Sequence, residues 1–358
     1  MSVIRGWAVS DDVALFAGTQ EGLFVLRPTG SGWEIANHVW PNAVLDSIAG
    51  CANTPERVFA GVAYDGVYRT DDAGRTWKRI FEGDIRALTV DPTDDDVVYC
   101  GTEPPHLYRS EDRGETWHEV IGLQKLPEEI KKRWWAPYPP ATGHILTIFV
   151  HPDDPKIITC ALEHGGIHRS LDRGESWEDV SGGIDYLDIH VIMTAPNRLD
   201  RWFVSSARGF FTTDDPAHGW ARAENGFTRD YFHDFIFLAP DAPGKDPTMV
   251  IATADHSPGS WRRPEFARAA VFRSTNCAQS WERVTDGFED EMKPMVWALR
   301  AHPTDPNAAF AGVGHVIRGP AEGPSGPGSI HVTRDRGATW RKISDVPGMR
   351  VIWASPTG

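Results

Sequence analysis

The residues best suited to chemistry in this sequence are histidines and carboxylates, and they fall at two kinds of place. Glu163-His164, Asp255-His256 and His315 each follow a short apolar run, as do Glu103 and Arg208. His144, Asp188 with His190, and His233 with Asp234 each stand where a run begins, as do Asp46, Asp84 with Arg86, Trp297 and Arg350. Imidazoles arriving from separate strands can hold a divalent transition metal, with a carboxylate as oxygen ligand or as the partner that orients a ring. The same groups without metal can act as general acid and base, because imidazole titrates near neutral pH. Both assignments stay open. For proton transfer the candidates are Glu163, His164, His190, Asp255 and His256; for a metal they are His144, His164, His256 and His315. Asp46, Arg86, Glu103, Arg208, His233, Trp297 and Arg350 are expected to bind substrate, the arginines by clamping a carboxylate.

A second set of acids looks catalytic and reads otherwise. Arg109-Ser110-Glu111-Asp112-Arg113-Gly114-Glu115-Thr116-Trp117 returns nearly unchanged at 169–177, and looser copies run 70–77 and 333–340. The shared frame is Ser/Thr-x-Asp-x-Gly-x-Thr/Ser-Trp. A short carboxylate accepts hydrogen bonds from the N–H groups of a tight turn, glycine supplies a positive φ, and the hydroxyls bond locally to the backbone. Tryptophan then offers a large plate for burial between sheets. Asp72, Asp112, Asp172 and Asp335 are therefore expected to staple turns.

The tryptophans closing these turns and their degenerate copies are Trp33, Trp77, Trp117, Trp177, Trp220, Trp281 and Trp340, recurring every 40 to 61 residues. A four-stranded blade takes roughly 40–50 residues, so the longer intervals carry insertions. Upstream of most turns lies a Pro/Asp element such as Asp91-Pro92, His151-Pro152 or His302-Pro303, set between two apolar runs. Each repeat thus reads as strand, Pro/Asp turn, strand, variable loop, strand, Asp turn, strand. Seven repeats predict an all-β fold, a seven-bladed β-propeller, in one domain over residues 1–358. Residues 3–9 and 350–354 both read as strands, and either could fill the inner place missing from the first blade.

The alternation of strand direction puts the Pro/Asp and Asp turns on one face. All insertions, 119–143, 255–268 and 315–328, fall on the other, together with the histidine and carboxylate candidates. Elaborate loops gathered on one face of a rigid scaffold are where binding and catalysis usually sit. Trp134, Trp135, Tyr138 and Trp261 lie in these loops, suited either to stacking on a sugar or aromatic ligand or to pinning the loops to the rim.

Composition excludes several function classes. The net charge of −14 works against a nucleic-acid backbone as partner. No apolar run reaches the ~18 residues of a membrane helix, so no membrane association is expected. Residues 1–7 do not read as a signal peptide. Cys51, Cys100, Cys160 and Cys277 are scattered and form no CxxC, which together with the start of the chain leads to the expectation of a reduced, cytoplasmic protein.

The Asp-turn frame resembles the Asp box of BNR-repeat propellers, the repeat of sialidase-like and sortilin-like proteins, and the resemblance runs along essentially the whole chain. It implies the propeller fold and leaves activity open, because the repeat serves glycosidases, sorting receptors and assembly factors alike. The arginine triad and Phe/Tyr-Arg-Ile-Pro motif of the sialidases have no counterpart here. The reading from sequence is a propeller binding a small molecule in a central funnel, acting as a hydrolase or lyase. The alternatives are a protein-interaction scaffold docking through loop 119–143 and a glycoside-binding or glycoside-hydrolysing protein.

Overall fold

In the computed structural model, residues 13–30, 32–137, 140–261, 266–290, 292–315 and 326–357 are described. The N-terminal candidate strand at 3–9, Tyr138 and most of the 315–328 insertion lie outside them. Seven four-stranded antiparallel sheets follow one another as expected. Their inner strands are Leu45–Gly50, Ile85–Asp91, His144–Val150, Ile189–Ala195, Tyr231–Pro240 and Met295–Ala301 for blades 2 to 7. The inner place of blade 1 is taken by Met349–Pro356, which pairs antiparallel with Val13–Thr19. This strand also lies beside the inner strands of blades 2 and 7, so the ring is closed.

The Asp boxes do the local work that their residue types predict. Asp112 Oδ1 accepts from Thr116 N at 2.8 Å and from Ser110 Oγ at 2.8 Å, while Oδ2 accepts from Thr116 Oγ1 at 2.7 Å. Ser110 Oγ in turn accepts from Gly114 N at 2.7 Å. Gly114 has φ of +85°, and a Cβ there would stand 2.3 Å from Ile80 Cδ1 of the preceding blade. Both conformation and close approach thus demand glycine. The box at 274–281 shows that Asn276 substitutes for aspartate: Oδ1 accepts from Ser280 N at 3.0 Å, and Nδ2 donates to Ser280 Oγ at 2.8 Å.

The boxes also stitch neighbouring blades together. An arginine near the end of the third strand donates to a backbone carbonyl in the next blade's box. The pairs are Arg27 to Ala73 at 2.9 Å, Arg69 to Arg113 at 2.8 Å, Arg109 to Arg173 at 3.4 Å and Arg273 to Arg336 at 2.8 Å. Each accepting residue has a positive φ of 57–66°, which turns its carbonyl out of the box. Between blades the apolar faces pack tightly, with Phe16, Phe59, Tyr99, Phe203, Phe235 and Phe310 all almost fully buried. Cys51, Cys100 and Cys160 are buried thiols.

Loop 119–143 contains two short helical turns that the sequence reading treats only as loop, Leu123–Lys125 and Glu128–Lys131. Its own Leu123, Leu126 and Ala136 are buried. The Trp134 indole N–H reaches His168 Nε2 at 3.0 Å and anchors the loop to blade 4. Its neighbour Trp135 is 57% exposed.

Candidate functional site

Every inner strand carries a register shift near its start, at the insertion-bearing mouth of the axial channel. The residues left out of the ladder are Asp46, Arg86, Leu146, His190, His233 with Asp234, Trp297 and Arg350. A bulge leaves its residue unpaired and re-aims the side chain. Six of the seven shifts thus fall on residues whose types suggested function, and the seventh lies two residues beyond His144.

These side chains form a nearly continuous ring of polar and aromatic contacts. Arg350 meets Asp46 at 2.6 Å, and Asp46 meets Arg86 at 2.7 Å. Arg86 also reaches Asp84 at 3.0 Å and Glu103 at 2.8 Å, and its guanidinium lies 4.9 Å from the centre of the exposed Tyr64 ring. His144 sits between two carboxylates, with Nδ1 3.6 Å from Glu103 Oε2 and Nε2 3.0 Å from Glu163 Oε2. His164 Nε2 is 4.0 Å from Glu163 Oε1 and 3.7 Å from Asp188 Oδ2. His190 Nε2 is 3.5 Å from Asp188 Oδ1, and its Nδ1–H donates to the Phe232 carbonyl at 2.5 Å. The His190 and His233 rings lie 5.0 Å apart, and His233 meets the Trp297 edge at 5.1 Å.

Burial and charge split the titrating groups. Burial alone would raise the Asp46 carboxyl, but Arg350 and Arg86 outweigh it and hold the group below its usual range. Glu103 goes the other way, because burial exceeds the pull of Arg86 and His144. Burial opposes charge on His144 and His190, yet Glu163 and Asp188 respectively raise both above the ordinary imidazole value. His233, buried beside His190 and Arg350, is driven well below it. Several buried atoms in this ring have no hydrogen-bond partner: Arg86 Nε, Glu103 Oε1, His144 Nδ1, Asp188 Oδ1, His233 Nδ1 and Arg350 Nε. Buried polar atoms are normally satisfied by protein or ordered solvent, so the ring has hydrogen-bonding capacity that its own side chains leave unused.

Three candidates do not join the ring as the sequence suggests. Asp255 is held by Arg268 at 2.9 Å and Arg229 at 3.5 Å. His256 is largely exposed, with its ring 3.2 Å from Asp230 and its N–H bonded to the same carboxylate at 2.6 Å. His315 packs beside Phe266 at 5.7 Å, where burial lowers its pKa. The ligand set His144, His164, His256 and His315 is therefore not assembled. Insertions 255–268 and 315–328 begin at these residues, and local partners hold them: ion pairs for Asp255 and His256, the Phe266 ring for His315. Arg208 lies over Tyr186 at 4.7 Å, on the wall beside His164. Trp261 is buried against Tyr231 and Trp297 and pins its loop.

Among the described residues, the metal-capable group is instead Glu163, His164 and Asp188, whose ligand atoms lie within 4.8 Å of one another. Asp188 is absent from the sequence-based catalytic and metal sets. The signal that could have placed it is its position two residues before a bulged strand residue, the place Asp84 holds before Arg86. His164, Tyr64 and His256 occupy equivalent turns and share a left-handed φ of 55–60°.

A family model described as BNR-Asp box repeat matches residues 107–121. Over 220 residues the chain is 23% identical to an oligoxyloglucan-reducing end-specific xyloglucanase of Emericella nidulans, covering 59% of this chain and 25% of that protein. The GH74 xyloglucanase from Xanthomonas campestris superposes with a TM-score of 0.66 at 19% identity, over 92% of this chain and 52% of that one. The GH74 enzyme from Niastella koreensis gives 0.61 at 14% identity, over 91% and 46%. The chain thus spans a quarter of the curated relative and about half of each solved structure, and at these identities the likeness is one of fold. With the repeat match, the ring of seven sheets and the four complete boxes taken together, the chain is a seven-bladed β-propeller that carries BNR-Asp box repeats.

Proposed function

We propose that the channel mouth binds a carbohydrate and hydrolyses a glycosidic bond. The observation that carries this reading is the pairing of an exposed aromatic plate with facing carboxylates. Trp135 is 57% exposed, and its backbone N–H donates to the His164 carbonyl at 3.2 Å, which ties the segment carrying this indole to the turn that follows Glu163. An indole face stacks on the apolar face of a sugar ring. Glycosidic hydrolysis needs two protonic groups in unlike states, one to protonate the leaving oxygen and one to activate water. In the proposed roles Glu163 and Asp188 face the bond, while His144 and His190 hold their outer oxygens and exchange protons with them. Arg208, lying on Tyr186, and the arginine–carboxylate half of the ring position sugar hydroxyls. The fold likeness to xyloglucan-cleaving enzymes supports the substrate class without fixing the substrate.

The test is hydrolysis and binding of a glycoside panel that includes xyloglucan oligosaccharides. Glu163→Gln is expected to abolish turnover while retaining binding. Trp135→Ala is expected to weaken binding about tenfold, the scale of one aromatic contact. A wild-type protein that neither binds nor cleaves any member of the panel would sink the reading.

A further inference from the structure

We infer that Glu163, His164 and Asp188 hold one divalent transition-metal cation at the channel mouth. One oxygen of each carboxylate is braced from behind by its own histidine: Glu163 Oε2 by His144 at 3.0 Å and Asp188 Oδ1 by His190 at 3.5 Å. That leaves Glu163 Oε1 and Asp188 Oδ2 turned towards His164 Nε2, at 4.0 and 3.7 Å. These separations are longer than hydrogen bonds. A cation bonded at about 2.0–2.2 Å to each of three donors holds them roughly 3–4 Å apart, so only small side-chain adjustments close the set. Asp188 is only 9% exposed, and at 3.5 Å His190 reaches its Oδ1 only weakly, so the carboxylate is poorly satisfied as it stands.

One imidazole with two carboxylates suits zinc, manganese or ferrous iron better than soft copper(I). Three protein donors also leave coordination positions open towards solvent, the arrangement of a catalytic rather than a closed structural site. The bracing histidines match the outer partners that orient ligating groups at such centres. His190 is fixed in its turn, because its Nδ1–H is committed to the Phe232 carbonyl. The cation site shares Glu163 and Asp188 with the proposed glycoside site, and binding of the cation is measured without reference to hydrolysis.

The experiment is metal content by elemental mass spectrometry on untagged protein, followed by calorimetric titration of the chelator-stripped protein with Zn²⁺ and Mn²⁺. One equivalent is expected to bind in the wild type. His164→Ala and Asp188→Asn should lose it, and His144→Gln or His190→Gln should weaken it by about 10–100-fold through lost bracing. His256→Ala, on the rim, should bind as the wild type does, which separates this site from adventitious surface histidine. Thermal melting of each variant shows whether the fold is intact. The inference is overturned if the wild type takes up no stoichiometric cation, or if His256→Ala loses it while folded Asp188→Asn retains it. Glycoside hydrolysis by protein that takes up no cation would overturn the cation and leave the proposed function standing. A bound cation without any hydrolysis would do the reverse.

Discussion

Replacing Asp335 tests whether the Asp box is held by hydrogen-bond geometry or by negative charge. Its Oδ1 accepts from Thr333 Oγ1 at 2.8 Å and from Thr339 N at 2.9 Å, and its Oδ2 accepts from Thr339 Oγ1 at 2.7 Å. Each bond to an ionised acceptor contributes about 1.5–3 kcal/mol when fully desolvated. The turn is partly open to water, which replaces some of that, so Asp335→Ala is expected to cost about 2–4 kcal/mol in all. Asn276 shows within the same molecule that an amide keeps this pattern by reversing one bond. Asp335→Asn should therefore cost only about 1 kcal/mol, the difference between charged and neutral acceptors. Urea unfolding followed by tryptophan fluorescence reads both. A pH arm adds a sign. Burial would raise the Asp335 carboxyl, but the bonds from Thr339 and Thr333 more than offset it and lower the folded pKa. The charge-dependent part of the Asp335→Ala penalty should accordingly be full above the unfolded value near 3.8 and be lost as pH falls through the lower folded value. The reasoning is refuted if Asp335→Asn is as damaging as Asp335→Ala, or if the alanine variant costs less than about 0.5 kcal/mol.

Two further outcomes follow from the ring. Arg86→Met strands Asp84 and Glu103 and leaves Asp46 with Arg350 alone, so it should destabilise by about 3–5 kcal/mol, the cost of breaking a buried pair from one side. Adding Glu103→Gln should recover part of that loss in the same urea assay. For His144 burial lowers the pKa but Glu163 prevails, so the folded value is raised. Its ion pair should stabilise fully below the unfolded value of about 6.5 and fade as pH rises through the folded one. His144→Gln should then cost more at pH 5.5 than at pH 8.5, as measured by unfolding midpoints at each pH.

The parts of this structure legible in the sequence are those that close within a few residues. The Asp boxes are bonds from residue i to residues i−2 and i+4, so motif and mechanism coincide in the chain itself. The alternation of Pro/Asp and Asp turns sorts the two faces for the same reason. Arg69, Arg109 and Arg273 stand directly before their boxes in the sequence, yet their carbonyl partners lie a full blade away and only the ring reveals them. The bulges were not legible, since a register shift depends on the strand opposite. They nevertheless decide why Asp46, Arg86, His190, His233, Trp297 and Arg350 turn to the channel mouth. His256 and His315 were misplaced because equivalence of sequence position does not survive a long insertion. The fate of the paired tryptophans was likewise undecided until packing separated Trp134, which anchors, from Trp135, which faces solvent.

The closing strand has a consequence for synthesis. Blade 1 has its three outer strands by residue 39, but its inner strand begins at Met349. During translation the exposed edge of Val13–Thr19 waits for some 300 further residues, about 15–60 s at ordinary elongation rates. An unpaired apolar strand edge is a template for pairing with other chains, and Val13 to Thr19 are all buried in the finished ring. The nascent protein therefore carries an unpaired apolar edge until Met349–Pro356 has been made. Quality control in the cell should meet this chain as a set of stacked blades with an open seam, and chaperone engagement should concentrate on that first blade.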